Sequence, residues 1–185
     1  MSVPAPGVKK TCFPSGPPAG RVFRAFLFAL LFSGFAAPDA PARAGDELPQ
    51  GYSEDFLRRQ QAITEFEKGK RYFEDGSYDL ARSQMLKVLE LDREHLEARY
   101  YLGLVESRCG AHKLAVEHFM VIYRKKPRFK GLLYELASSH LALGHCDEAR
   151  DWLDRHLKTD PKSKKAVEMG KKIKDCKKRL ENSDG

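Results

Sequence analysis

The sequence predicts an all-α solenoid of three helix-turn-helix repeats in tandem, closed by a capping helix. Three observations predict it. First, YFEDGSYDLARSQM (72–85), ESRCGAHKLAVEHF (106–119) and HLALGHCDEARDWL (140–153) align without a gap at a step of 34 residues, and a fixed period of that size marks a repeat array. Second, the columns keep a residue type: Gly76, Gly110 and Gly144; Ala81, Ala115 and Ala149; bulky Met85, Phe119 and Leu153; small Gly69, Gly103 and Ala137; apolar Leu89, Tyr123 and Leu157. Third, Pro127 and Pro161 close the second and third units, whereas Arg93 stands at that place in the first.

Taken in chain order, residues 1–44 read as a signal peptide. They carry five Lys/Arg (Lys9, Lys10, Arg21, Arg24, Arg43) against one acid, Asp39, and the apolar run AFLFALLFSGFAA from Ala25 to Ala37. Ala42, Arg43 and Ala44 then give the small-x-small pattern of a cleavage point, so cleavage is expected between Ala44 and Gly45. The run falls short of the ~20 residues that a membrane-spanning helix needs. An Arg-containing, acid-poor leader also fits mitochondrial import, which stands as the alternative address. Residues 45–61 read as a linker and a short N-terminal helix capped by Ser53 and running on into the first repeat.

The repeats occupy residues 62–95, 96–129 and 130–163, each as two antiparallel helices: about 62–75 and 77–91, 96–109 and 111–125, 130–143 and 145–158. The columns at Gly69 and Ala81 are small so that paired backbones approach closely. Gly76, Gly110 and Gly144 fall at the turns, where positive φ ends a helix. Pro127 and Pro161 cannot continue a helix and so mark the links between units. Residues 164–185 form a basic capping helix and tail, with Ala166, Val167, Met169, Ile173 and Leu180 as the apolar positions. A solenoid needs such a helix to cover its last core and keep a polar face outward.

His140, His145 and Cys146 crowd seven residues and suggest a metal site or a Cys/His pair. The repeat phase places them on separate turns and faces, whereas zinc needs about four converging ligands. A nucleophilic pair would need an oxyanion-stabilising loop and an orienting group, which the sequence does not offer. No catalytic residue, metal or cofactor is expected. A disulfide is the more physical expectation. Cys146 lies fifteen residues before Pro161 and Cys176 fifteen after it, so antiparallel helices hinged there bring them level, and export would permit oxidation. Cys109 would then be left over.

These residues resemble the tetratricopeptide repeat family, whose unit has 34 residues with small, small and bulky positions at this spacing. The sequence departs from the family at its early Trp position (Glu65, Arg99, Leu133) and at its mid-helix Tyr, kept as Tyr72 but replaced by Glu106 and His140. The resemblance implies a right-handed solenoid whose first helices line a concave peptide-binding groove. Carried onto this chain, the groove positions are Phe66, Tyr100 and Tyr134; Lys70, Leu104 and Ser138; and Phe73, Ser107 and Leu141, with Arg108 beside them. The aromatic column could equally be packing that replaces the missing Trp. One subset of the family grips chaperone carboxylate tails at positions that are here Phe66, Lys70, Tyr101, Gly131 and Glu135; Glu135 would repel a carboxylate.

A second surface is the edge formed by the links, where Arg124, Lys125, Lys126, Arg128 and Lys130 would run beside Lys158, Lys162, Lys164 and Lys165. The sequence thus points to a non-enzymatic protein-protein interaction adaptor or scaffold, exported to a bacterial periplasm or cell envelope, that holds a peptide or partner subunit in its groove. The other reading is an anionic-lipid or polyanion binder acting through the basic edge and the last helix. No nucleic-acid motif accompanies the charge, and no transmembrane span is expected in the mature chain.

Overall fold

A computed structural model of the chain describes residues 53–182. The expected signal peptide, its cleavage point at Ala44 and Gly45, and most of the linker lie outside the described residues. Seven helices follow one another: α1 (Glu54–Glu74), α2 (Tyr78–Leu91), α3 (Leu96–Arg108), α4 (His112–Lys125), α5 (Leu132–Ala142), α6 (Cys146–Thr159) and α7 (Lys164–Glu181). Each packs mainly on its neighbours along the chain, which is the all-α solenoid of the sequence reading. The Ser53 hydroxyl accepts the Phe56 N–H at 3.3 Å, and from that cap α1 runs unbroken for 21 residues. The short leading helix is therefore the first two turns of α1.

The three hairpin turns are built alike. Gly76, Gly110 and Gly144 sit at φ of 76°, 81° and 79°. One residue later an N–H reaches back five residues: Ser77 to Tyr72 at 2.8 Å, Ala111 to Glu106 at 2.9 Å, His145 to His140 at 3.0 Å. This left-handed closure satisfies carbonyls that the helix end would otherwise leave open. A Cβ at any of the three would meet nothing within 4 Å, so φ alone selects glycine there.

Inside the hairpins the requirement is space. A Cβ on Gly69 would lie 2.6 Å from Met85 Cε, and one on Gly103 would lie 2.5 Å from the Phe119 ring. The small column therefore seats the bulky column, rather than facing Ala81 and its equivalents as the sequence suggested. The bulky side chain fills the gap that the missing Cβ opens. Phe119 lies fully buried with Ala115, Ile122, Leu132 and Leu136. Met85, Val88, Ala98 and Leu102 carry the core toward the first unit, and Ala137, Ala149 and Leu153 carry it toward the last.

Two features depart from strict repetition. In the mid-helix Tyr column, buried Glu106 accepts Arg82 Nε at 2.7 Å and Nη2 at 3.1 Å, while Asp79 takes Nη1 at 2.9 Å. This ion pair ties α2 to α3, and the partner carboxylates hold the Arg82 guanidinium more firmly protonated than usual. The second departure is at α5, which starts at Leu132, not near 130. Gly131 takes φ 82° as its N-cap, and a Cβ there would stand 2.7 Å from the Tyr100 hydroxyl.

The last helix covers the last repeat. Ala166, Met169, Ile173 and Cys176 of α7 are buried against α5 and α6, at helical spacing, whereas Val167 lies off that stripe and is exposed, and Leu180 continues the stripe but is exposed at the helix end. A disulfide joins Cys146 at the start of α6 to Cys176 of α7, with Cα atoms 6.0 Å apart. Cys109 is disulfide-bonded as well in the full-length chain, whereas the expectation of a left-over thiol concerns the chain without residues 1–44, which hold the fourth cysteine, Cys12.

Candidate functional groove

The expected groove residues divide between surface and core. Phe66, Tyr100 and Tyr134 are half-buried, because each ring leans on residues further along the chain. Phe66 meets His95 and Tyr101 at centroid distances of 4.9 and 5.6 Å. Tyr100 meets Phe129 at 5.1 Å and Phe119 at 5.7 Å, and Tyr134 meets His156 at 5.8 Å. The column thus both packs and presents a ring edge, combining the two roles weighed in the sequence. Tyr101, adjacent to the column, links Phe66, Phe73 and Tyr100 edge-to-face. Its role as a packing centre does not show in the repeat columns, because the other two units carry Glu67 and Glu135 at its position.

Leu104 leaves the groove list. At 8% exposure it belongs to the cluster around Phe119, since its helix turns that face toward α4 and α5. Lys70 lies over the Phe66 ring at 5.7 Å and pairs with Glu67 at 3.2 Å; that hydrogen bond raises its affinity for the proton. Phe73 and Ser107 are half-buried and Arg108 is exposed.

The open part of the surface lies between α5 and α7. A depression of about 550 Å³ is walled on one side by Tyr134, Ser138, Leu141 and Ala142, and on the other by Lys164, Lys165, Glu168, Met169 and Lys172. Lys164 and Lys165 therefore face this depression and not the outer edge. They occupy the first turn of α7, and the cap helix folds back along α5. Glu135 is half-buried beside them, and burial raises its pKa against the opposing pull of Arg108 and Lys165. Arg108 of α3 and Lys165 of α7 thus both act on Glu135 of α5, and of the three only Lys165 lines the depression. Burial also lifts the Tyr134 phenol, with Glu135 adding to the effect.

The remaining basic edge is mixed in sign. Arg124 and Lys125 in the last turn of α4, Lys126, Arg128 and Lys130 on the α4–α5 link, Lys158 in the last turn of α6 and Lys162 on the α6–α7 link are all exposed. Lys125 is paired with Glu94 of the preceding link, Lys126 lies over Phe129 at 5.7 Å, and Arg128 and Lys130 share a hollow with His156 and Asp160.

The His/Cys stretch that invited a chemical reading is structural. His140 lies 5.8 Å from the His145 ring and stacks at 6.5 Å on Trp152. Burial lowers its pKa, and Cys146 is in the disulfide. Among the described residues no group of three His, Cys, Asp or Glu is placed to hold a metal ion, and no helix is long and apolar enough to cross a membrane.

Comparison with known proteins bears on the same region. Residues 66–128 match the tetratricopeptide repeat family profile. The chain is 32% identical over 148 residues to mouse tetratricopeptide repeat protein 4 and 30% identical to the human protein of that name, with 72% of this chain aligned in each case. It spans 35% of the length of those relatives. Among solved structures, the first tetratricopeptide domain of human RPAP3 superposes with a TM-score of 0.63 at 22% identity, covering 67% of this chain and 98% of that one. The first such domain of Spaghetti (RPAP3), solved with an HSP90 peptide, gives 0.60 at 22% identity, over 63% and 92%. The repeat columns, the recurring turns and the family match fall on the same helices, so residues 66–128 carry tetratricopeptide repeats.

Proposed function

We propose that the protein is a non-enzymatic adaptor that holds a peptide segment of a partner protein along its first helices and α7. The depression between α5 and α7 carries this reading: aromatic, hydroxyl and aliphatic side chains line one wall and charged ones the other, the mixture that gives a peptide site both contact area and orientation. The Spaghetti (RPAP3) domain was solved with an HSP90 peptide, which supports peptide capture by a fold of this kind. A carboxylate tail seated as in that chaperone-binding subset is disfavoured, since Phe66, Tyr101, Gly131 and Glu135 stand at four of its five positions. Peptide-array binding with the purified chain tests the proposal. Tyr134→Ala should weaken every bound peptide while leaving the melting curve within a few degrees, and bound peptides indifferent to Tyr134 and lost steeply with salt would instead favour the link edge.

We also propose export to a bacterial periplasm or envelope, with removal of residues 1–44. The Cys146–Cys176 disulfide supports an oxidising compartment. N-terminal sequencing of the protein from its native cells should start at Gly45; recovery from mitochondria, or an intact Met1 end, would refute this address.

A further inference from the structure

We infer that the outward face of α7 docks the protein on an anionic bilayer, standing the solenoid on its capped end with the groove left open. The inference goes beyond the peptide-groove reading and does not depend on it. The helix carries eight Lys/Arg against three acids, Glu168, Asp175 and Glu181, a net of +5. Val167, Lys171 and Lys174 each stand two residues before a member of its buried stripe, Met169, Ile173 and Cys176, which sets them about 200° around the helix and so opposite the core. Lys178 continues this outer stripe at the same spacing. Lys164 heads it, and also borders the depression beside α5. All five are exposed, Val167 at 56%. From Lys164 to Lys178 the stripe runs about 21 Å, at ~1.5 Å per helical residue.

The sequence treats the link edge and the last helix as one basic surface, and the structure separates them. On the edge Lys125 is held by Glu94, Lys126 lies over Phe129, and Asp160 shares a hollow with Arg128 and Lys130. On α7, Lys171 reaches Glu168 at 3.5 Å with both side chains more than half exposed, a pair that water and salt weaken. Lys164, Lys174 and Lys178 enter none of the ion pairs among the described residues. The make-up of the stripe favours a bilayer over another polyanion. A straight helix side meets a plane along its whole length. Its cations are all lysines, point charges without the planar fork that orients a nucleic-acid phosphate, and no ring stands among them to stack a base. Val167 in their midst suits the headgroup level, where lysines meet anionic lipid. Asp147, Asp151 and Asp154 on the exposed side of α6 are repelled by the same lipid, which keeps the contact on α7.

The test is co-sedimentation of the protein, purified from its native cells, with phosphatidylcholine vesicles that contain or lack phosphatidylglycerol. Binding should require phosphatidylglycerol, fall as salt rises, and weaken at least about tenfold in a variant combining Lys171→Glu, Lys174→Glu and Lys178→Glu. The neutral combination Lys171→Gln, Lys174→Gln and Lys178→Gln should weaken it in the same direction and carries the test if charge reversal disturbs α7; circular-dichroism melts matching the parent check that each folds. Arg124→Glu with Lys126→Glu on the edge should change little. Equal binding to vesicles without phosphatidylglycerol, or binding indifferent to the α7 variants, overturns the inference. So does loss in the edge variant alone, which would move the contact to the links. Retention on duplex DNA or polyglutamate without retention on vesicles identifies another polyanion and overturns it as well. If no vesicle binds while arrayed peptides still need Tyr134, this inference falls and the peptide-groove reading stands.

Discussion

Two glycines in the same unit are selected by different physics, and that difference is measurable. Gly103 keeps room for the Phe119 ring, whereas Gly110 supplies positive φ over empty space. Gly103→Ala should cost about 1–3 kcal/mol, as overpacking of a filled core does. Gly110→Ala should cost about 1 kcal/mol, the price of a left-handed backbone on an alanine. Urea unfolding of both variants measures the pair; a similar effect accompanied by a local shift at Phe119 in both would contradict the distinction. The Arg82–Glu106 pair belongs to the same scale. Glu106 is 4% exposed, so Glu106→Ala would leave Arg82 with Asp79 alone and two guanidinium donors unpaired in the interface, and should cost about 1–3 kcal/mol, more than loss of a surface pair. Glu106→Met restores apolar volume but not charge, and should recover little unless Arg82 is replaced as well.

At the scale of elements, the cap helix depends on its covalent tie. The Cys146–Cys176 bridge spans 30 residues of sequence, and closing a loop of that size restricts the unfolded chain by about 3–4 kcal/mol in the chain-entropy account. Reduction should therefore lower the melting temperature, and hydrogen exchange should show α7 losing protection before α3 and α4; uniform loss across all helices would contradict this. Acidification should loosen the helix pairs through His118 and His140. Burial lowers both pKa values, so just below the ordinary histidine pKa of 6.5 the unfolded chain binds protons that the folded chain refuses. Stability is then full above that range and is lost as the pH falls through it. His118 feels Glu106, Glu117 and Arg99, and His140 feels Glu148 and His145; none of these reverses the shift. His118→Gln should flatten the urea midpoint between pH 7 and pH 5.5, and an unchanged slope would contradict the assignment.

Across the whole molecule, what could be read from the sequence followed the period. Gly76, Gly110 and Gly144 gave away their turns because each needs positive φ at the same phase, and Cys146 and Cys176 could be set level because Pro161 fixes the hinge between two helices. What escaped lay off the period. The late start of α5 comes from Tyr100 meeting Gly131, a contact between units that no single column records. Leu104 stands at a position that the family resemblance assigns to the groove, but its own burial is decided by α4 and α5. Lys164 and Lys165 looked like part of an edge because they follow a link, yet the direction of α7 turns them toward Tyr134. The depression between α5 and α7 is thus a product of the cap helix, which among the described residues is the one helix wholly outside the repeats.

The measurement that bears most directly on the peptide-groove reading is a titration of the isotope-labelled chain with the tightest peptide from the array, followed by amide chemical shifts. The account predicts saturable shifts concentrated at Tyr134, Ser138, Leu141, Lys165 and Lys172, with the α4–α5 link silent. Shifts confined to Arg124, Lys126, Arg128 and Lys130, or none at any attainable concentration, would contradict it.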